Sequence, residues 1–131
     1  MIIRRFLTVS AALLFLFVLS GCLNKESEAV YMNINAEKAK EMMESMEEFV
    51  ILDARSEAEF AEGHIPGAIV IPHDEISEKA EEEILDKDIP IFVYCRSGRR
   101  SKIAAKELLD LGYSEIYEFG GINDWPYEIE K

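Results

Sequence analysis

The residues with the most chemistry in them stand together as Tyr94-Cys95-Arg96-Ser97-Gly98-Arg99-Arg100-Ser101. A thiol follows the apolar run Ile91-Phe92-Val93-Tyr94, and a short glycine-containing segment leads from it into a stretch of helical composition. In open parallel sheets, ligands bind at this place, where a buried strand ends and a turn enters a helix. Gly98 and its small neighbour Ser97 let successive backbone N–H groups converge as an anion-binding nest. The helix N-terminus adds about half a positive charge. Arg96, Arg99 and Arg100 bring three guanidiniums into five residues of a chain whose formal charge is −12. All of these favour thiolate over thiol, and such settings lower a cysteine pKa from about 8.5 to roughly 3.5–7.5. The expected chemistry is nucleophilic: Cys95 attacks a small anionic partner and forms a covalent intermediate. Arg96, Ser97, Gly98, Arg99, Arg100 and Ser101 are the expected substrate-binding residues.

Composition removes other classes. With Cys22 capped, as its surroundings below imply, one thiol, Cys95, and two histidines, His64 and His73, are too few for a four-ligand structural zinc site, and no metal or organic cofactor is implied. Nucleic acid is a poor partner for so acidic a chain, because phosphate backbones require a basic face. Residues 1–21 contain Arg4 and Arg5 and no acid, so their loss would leave 12 bases against 26 acids, or −14. Bases that remain clustered in such a body have a purpose.

The elements that must position Cys95 alternate between strand and helix signals. Tyr31–Ile34 is a candidate strand, and Asn35 is placed to cap a helix over Ala36–Met46. Phe49-Val50-Ile51-Leu52 is a continuous apolar run of the buried parallel kind. Ser56 and Glu59 have the spacing of a capping box. Gly63–Gly67 is a turn cluster, Ala68–Ile71 a further strand, and Ser77–Leu85 a helix whose Glu81-Glu82-Glu83 is a solvated face. Ile91–Tyr94 is the strongest strand. Helix Ser101–Leu111 presents Ile103, Ala104, Leu108 and Leu111 on one side, Gly112 closes it, and Glu115–Phe119 is the last strand. This alternation predicts an α/β fold, a mostly parallel central sheet with helices on both faces.

The first segment reads as an address. Met1–Arg5 is positive, and Phe6–Leu19 is an apolar run of 14 residues interrupted by Thr8 and Ser10. That is short for a membrane span of about 20 residues and is laid out as a signal peptide. Its end, Leu19-Ser20-Gly21-Cys22, resembles the lipobox of bacterial lipoproteins. The resemblance implies cleavage after Gly21, acylation of Cys22 and an extracytoplasmic protein anchored to a membrane by lipid. The expected organisation is a signal peptide over 1–21, a lipidated tether over 22–30 and one domain over 31–131. Leu23 supplies no retention signal of the Asp type. With Cys22 capped, Cys95 is a solitary thiol in a compartment that oxidises thiols in pairs.

Four motifs in order resemble the rhodanese family in its single-domain form. They are Asp53-Ala54-Arg55 with Glu59, Gly63-His64-Ile65-Pro66-Gly67-Ala68, the Cys95–Ser101 loop, and Gly120-Gly121 with Trp125. The resemblance covers nearly the whole expected domain. It implies a rhodanese-like fold and transfer of sulfane sulfur through a Cys95 persulfide, from a donor such as thiosulfate to a thiophilic acceptor, which can be a protein thiol. Asp53, Arg55 and Glu59 are expected to support the site, with Arg55 and Glu59 paired. His64 is expected to bond its own turn, His73 to be an ordinary loop residue, and Trp125 to be core. Related phosphatases and arsenate reductases carry a longer Cys-x₅-Arg loop. Here Ser101 stands six residues after Cys95, so the loop departs from the phosphatase pattern. Two other readings remain open on the sequence, a membrane-tethered binding module and a thiol redox protein whose resolving thiol comes from outside. Binding modules of this kind typically lack the loop cysteine, so Cys95 favours the enzyme.

Overall fold

The apolar run at Ile91 becomes the middle of a five-stranded sheet. In the computed structural model, which describes residues 28–131, the strands are β1 (Val30–Asn33), β2 (Val50–Asp53), β3 (Ile69–Val70), β4 (Ile91–Cys95) and β5 (Glu115–Gly121). All neighbours are parallel, in the order β1-β5-β4-β2-β3. Helices α1 (Ala36–Ser45), α2 (Glu57–Glu62), α3 (Ile76–Glu83) and α4 (Arg99–Asp110) alternate with them. The fold is therefore the α/β arrangement that the alternation predicts.

Both faces of β4 are covered, which is why its five residues are all buried and read as an uninterrupted apolar run. Ile91, Val93 and Cys95 point to a layer containing Ile76 and Ala80 of α3 and Ala104, Ala105 and Leu108 of α4. Phe92 and Tyr94 point the other way, into a layer with Ala39 and Met43 of α1 and with Trp125. Trp125 is core, as expected.

Local signals fix the helix starts. The Asn35 side chain accepts from the Lys38 N–H at 2.8 Å. Ser56 and Glu59 form the complete capping box, at 3.2 and 3.0 Å, and such caps contribute about 1 kcal/mol each. Two boundaries that matter for the site differ from expectation. Val30, assigned to the tether, already belongs to β1, because its N–H donates to the Ser114 carbonyl at 2.7 Å. Helix α4 begins at Arg99 rather than Ser101, since Gly98 supplies the left-handed turn (φ 110°) that admits the chain. The earlier start sets the inward face as Ser101, Ala104, Ala105 and Leu108, an i, i+3, i+4, i+7 stripe. Ile103, expected inside, is 40% exposed.

One irregularity matters for the site. Val93 pairs with Glu118 but Cys95 pairs with Gly121, so β5 carries one residue more than β4 across this step. This is a bulge, and it falls at Phe119-Gly120, where Gly120 adopts φ 85°. The expected signal peptide and Cys22 lie outside the described residues. Among the described residues, no helix is long and apolar enough to cross a membrane.

Candidate active site

Cys95 closes β4 with 1% of its surface exposed. Its Sγ accepts from the Gly98 N–H at 3.0 Å and lies 3.4 Å from the Ser101 hydroxyl oxygen. The loop closes this tightly because Gly98 folds back over the sulfur, and the Gly-Gly turn lies flat against it. A Cβ added at Gly121 would stand 1.9 Å from the Arg96 carbonyl oxygen. No side chain fits there. Burial pushes the Cys95 thiol up, but the Ser101 hydroxyl and the N–H groups of Ser101, Gly98 and Ser97 outweigh it, so the thiol sits below its ordinary value. Hydrogen bonds therefore stabilise the charged form here, more than the neighbouring guanidiniums do.

The three loop arginines part company. Arg100 gives a two-pronged contact to Glu59, at 2.7 and 3.0 Å, and Arg96 reaches the same carboxylate at 3.1 Å. The Arg100 guanidinium and the Ser56 N–H and hydroxyl hold the Glu59 carboxyl well below the usual carboxylate range. Arg99 is exposed and enters no ion pair among the described residues. Of three expected positive charges at the mouth, one is unengaged.

The expected Arg55–Glu59 pair does not form. Arg55 turns back on Asp53, with Nη2 at 2.7 Å and Nε at 3.0 Å from its oxygens, and donates to the Gly63 carbonyl at 2.6 Å. The reason is local: the capping box fixes Glu59 at the start of α2, on the side facing α4, while Asp53 lies two residues from Arg55. Asp53 is fully buried and also accepts from the Arg55 N–H at 2.9 Å and the Tyr94 hydroxyl at 2.7 Å. That hydroxyl in turn accepts from the Ile65 N–H at 3.1 Å. Burial and the Asp53 charge push the Tyr94 hydroxyl well above its ordinary range. These bonds fasten the Gly63–Ala68 turn to the end of β4. His64 bonds the Phe60 carbonyl at 2.8 Å and stacks on its ring. His73 is in a loop, its N–H on the Ala54 carbonyl. Among the described residues, no group of three or more His, Cys, Asp or Glu could hold a metal.

A thiol at a strand end, under a loop N–H and four residues before an exposed arginine, can act as a nucleophile toward a small anion. The model of the rhodanese-like domain matches residues 35–127. The chain belongs to the rhodanese-like family. A putative sulfurtransferase of Bacillus subtilis, YtwF, is 39% identical over 97 residues, covering 74% of this chain and 92% of that protein. The thiosulfate sulfurtransferase PspE of Escherichia coli is 34% identical over 73 residues, 56% of this chain and 70% of its own. A putative sulfur carrier protein of Bacillus subtilis, YrkF, is 32% identical over 108 residues, and the chain spans only 57% of its length. Among solved structures, one described as a rhodanese with anions from E. coli superposes with a TM-score of 0.59 at 32% identity. It covers 63% of this chain and 96% of its own.

Two residues of this rhodanese-like site escape the sequence reading. Tyr94 looks like one more apolar residue of a strand, and its hydroxyl partner is 41 residues away. Glu118 looks like an outward charge on the last strand, yet it is fully buried. It accepts from the Ser101 hydroxyl at 2.6 Å, from the Gly120 N–H at 2.9 Å and from the Asn33 side-chain amide. The available signal is its spacing: Glu118 stands two residues after Ile116, so it shares the face that Ile116 buries.

Proposed function

We propose that this rhodanese-like protein is a sulfurtransferase of the thiosulfate type, working through a persulfide on Cys95. The Cys95 thiolate attacks the outer sulfur of thiosulfate, the S–S bond of the donor breaks, and sulfite departs with its electron pair. Cys95 then carries one additional sulfur as the persulfide anion. A thiophilic acceptor, cyanide or a thiol, attacks that outer sulfur and restores the thiolate. No charge is created or lost in either half, so loop N–H groups placed around one anion serve both. The observation that carries the reading is the Gly98 N–H on a Cys95 sulfur that hydrogen bonds hold toward the thiolate. Arg99 is the guanidinium available to draw an anionic donor through the field of an acidic protein. Arg96 and Arg100, shared with Glu59, stiffen the loop and can exchange that carboxylate for the donor. Ser97 and Gly98 contribute backbone N–H groups. Ser101 is fully buried and bonded to Glu118, so its share in the site is exerted on Cys95 and not on the donor.

Mass spectrometry of the 131-residue chain after incubation with thiosulfate tests the proposal. A gain of one sulfur atom that disappears with cyanide, and is absent in Cys95→Ser, is expected. No adduct and no turnover would leave a binding module as the better account. A mass gain equal to a disulfide-linked protein would instead favour thiol redox exchange.

We also propose that Cys22 carries a lipid and holds the domain outside the cytoplasm at a bacterial membrane. The support is the positive start, the apolar run and the Leu19-Ser20-Gly21-Cys22 pattern. Metabolic labelling with palmitate should mark the chain, and Cys22→Ala should abolish the label; equal labelling of both would exclude this site.

A further inference from the structure

Glu118 is a carboxylate with 0% exposure in the layer between β5 and α4, and no Lys, Arg or His stands within ion-pair distance of it among the described residues. Burying an unpaired charge is costly unless donors surround it, and Glu118 has three: the Ser101 hydroxyl, the Gly120 N–H and the Asn33 amide. The bulge between β4 and β5 creates the cradle, because it brings the Gly120 N–H round to the side chain two residues before it.

Ser101 is the link to the nucleophile. Its oxygen lies 2.6 Å from Glu118 Oε1 and 3.4 Å from Cys95 Sγ, with the Gly98 and Gly120 carbonyls at 3.0 and 3.3 Å. A serine hydroxyl has one proton to give. If Ser101 spends it on an ionised Glu118, it offers Cys95 only a lone pair, which suits a thiol that donates. If Ser101 donates to a Cys95 thiolate, the short contact to Glu118 needs a proton from the other side, which suits a neutral carboxyl. The two arrangements differ by one proton moved along Cys95–Ser101–Glu118. With both ends ionised, one hydroxyl would face two buried anions at once.

We infer that Cys95 and Glu118 share a single proton through the Ser101 hydroxyl, and that Glu118 takes up the proton the thiol releases on becoming a nucleophile. The inference rests on Cys95 being the nucleophile proposed above. The balance is simple: the S–H bond breaks, Ser101 receives that proton and passes its own to Glu118. The pair holds one proton and one negative charge before and after. The proton then stays on Glu118 through persulfide formation and sulfur release, since neither half consumes one. Glu118 touches neither donor nor acceptor, so it is a positioning residue that acts through Ser101. The other titratable or charged groups nearby are Tyr31 on β1, pushed up by burial and by Glu118, and Arg100 on α4, which feels Cys95, Glu59 and Asp53. Glu115 is engaged by the Tyr117 hydroxyl at 2.6 Å. Lys38 and Lys40 of α1 pair with Glu41 and Glu44, and α1 packs on the opposite face of the sheet.

Two groups that share a proton titrate as a pair, in two macroscopic steps. Thiolate ultraviolet absorbance of the 131-residue chain, taken as the difference from Cys95→Ser, should therefore rise with pH in two steps separated by a plateau. In Glu118→Gln, where nothing competes for the proton, it should rise in one step, below the upper step of the wild type. A single step in the wild type overturns the inference, whether or not Glu118→Gln shifts it. Should Glu118→Gln fail to fold, infrared spectra at the plateau pH decide. A protonated-carboxyl band present in the wild type and missing in Cys95→Ser supports the shared proton, and identical spectra overturn it. Neither readout uses a sulfur donor, so either can succeed or fail independently of the persulfide experiment.

Discussion

Strand β4 is flanked by two fully buried carboxylates that lead opposite lives. On the β2 side, Asp53 is held by the Arg55 guanidinium, the Arg55 N–H and the Tyr94 hydroxyl, and the same arginine continues to the Gly63 carbonyl. On the β5 side, Glu118 meets only neutral donors among the described residues, one of which also touches Cys95. A carboxylate locked to a guanidinium that also reaches the Gly63 carbonyl serves to fasten a turn to a strand. One cradled by a hydroxyl and amides keeps a proton within reach. Burial alone does not separate a brace from a participant; the partners do.

The largest expected effect falls on the brace. Arg55→Met leaves Asp53 buried without its cation and should cost about 3–5 kcal/mol of stability, read from urea unfolding. Glu118→Gln should cost about 1 kcal/mol or less, because the Asn33 amide can turn its oxygen toward the new amide group. Equal losses in the two variants would erase the distinction between the flanks. Next comes Gly121→Ala, where the added methyl must push the Arg96 carbonyl away. The strain should cost about 1–3 kcal/mol and depress sulfur transfer with it, as a thermal melt alongside turnover would reveal.

A smaller effect is expected at the mouth. Arg99→Ala should raise the apparent KM for thiosulfate about tenfold, or ~1.4 kcal/mol, and more at low salt than at high salt. Arg96→Ala should do less, since that side chain is already occupied by Glu59. Kinetics of the two variants at two ionic strengths separate a free guanidinium from an engaged one. Smallest is the acid limb of stability. The Glu59 carboxyl is lower in the folded protein than its unfolded value of about 4.3. The stability it contributes is complete above that value and is lost as pH falls toward the folded one. Glu59→Gln should thus differ most from the wild type near neutrality, by about 1 kcal/mol or less given the partial exposure, and should converge with it in acid. Melting temperatures across that range check the sign.

How much of this was legible in advance follows from distance along the chain. Cys95, the loop after it and the helix behind it are contiguous, so the local geometry from Cys95 to Ser101 could be read directly. The capping box at Ser56 and the N-cap at Asn35 are equally local. The Arg55–Glu59 pairing failed because two short-range constraints competed, and the capping box had already claimed Glu59. Glu118 could not be read as part of the site. Its meaning depends on β5 lying between β1 and β4, and on a bulge that exists only once those strands pair. Of the arginines, sequence showed the number but not the engagement, since Glu59 sits 41 residues from Arg100.

The near-complete covering of Cys95, with 1% of its surface left, bears on how cargo would be handed over. A thiol so withdrawn offers stray oxidants almost nothing to touch. One added sulfur would extend the side chain by a single S–S bond, about 2 Å. The charged form of the protein would then display what the empty form conceals, and a receiving molecule need only find the tip.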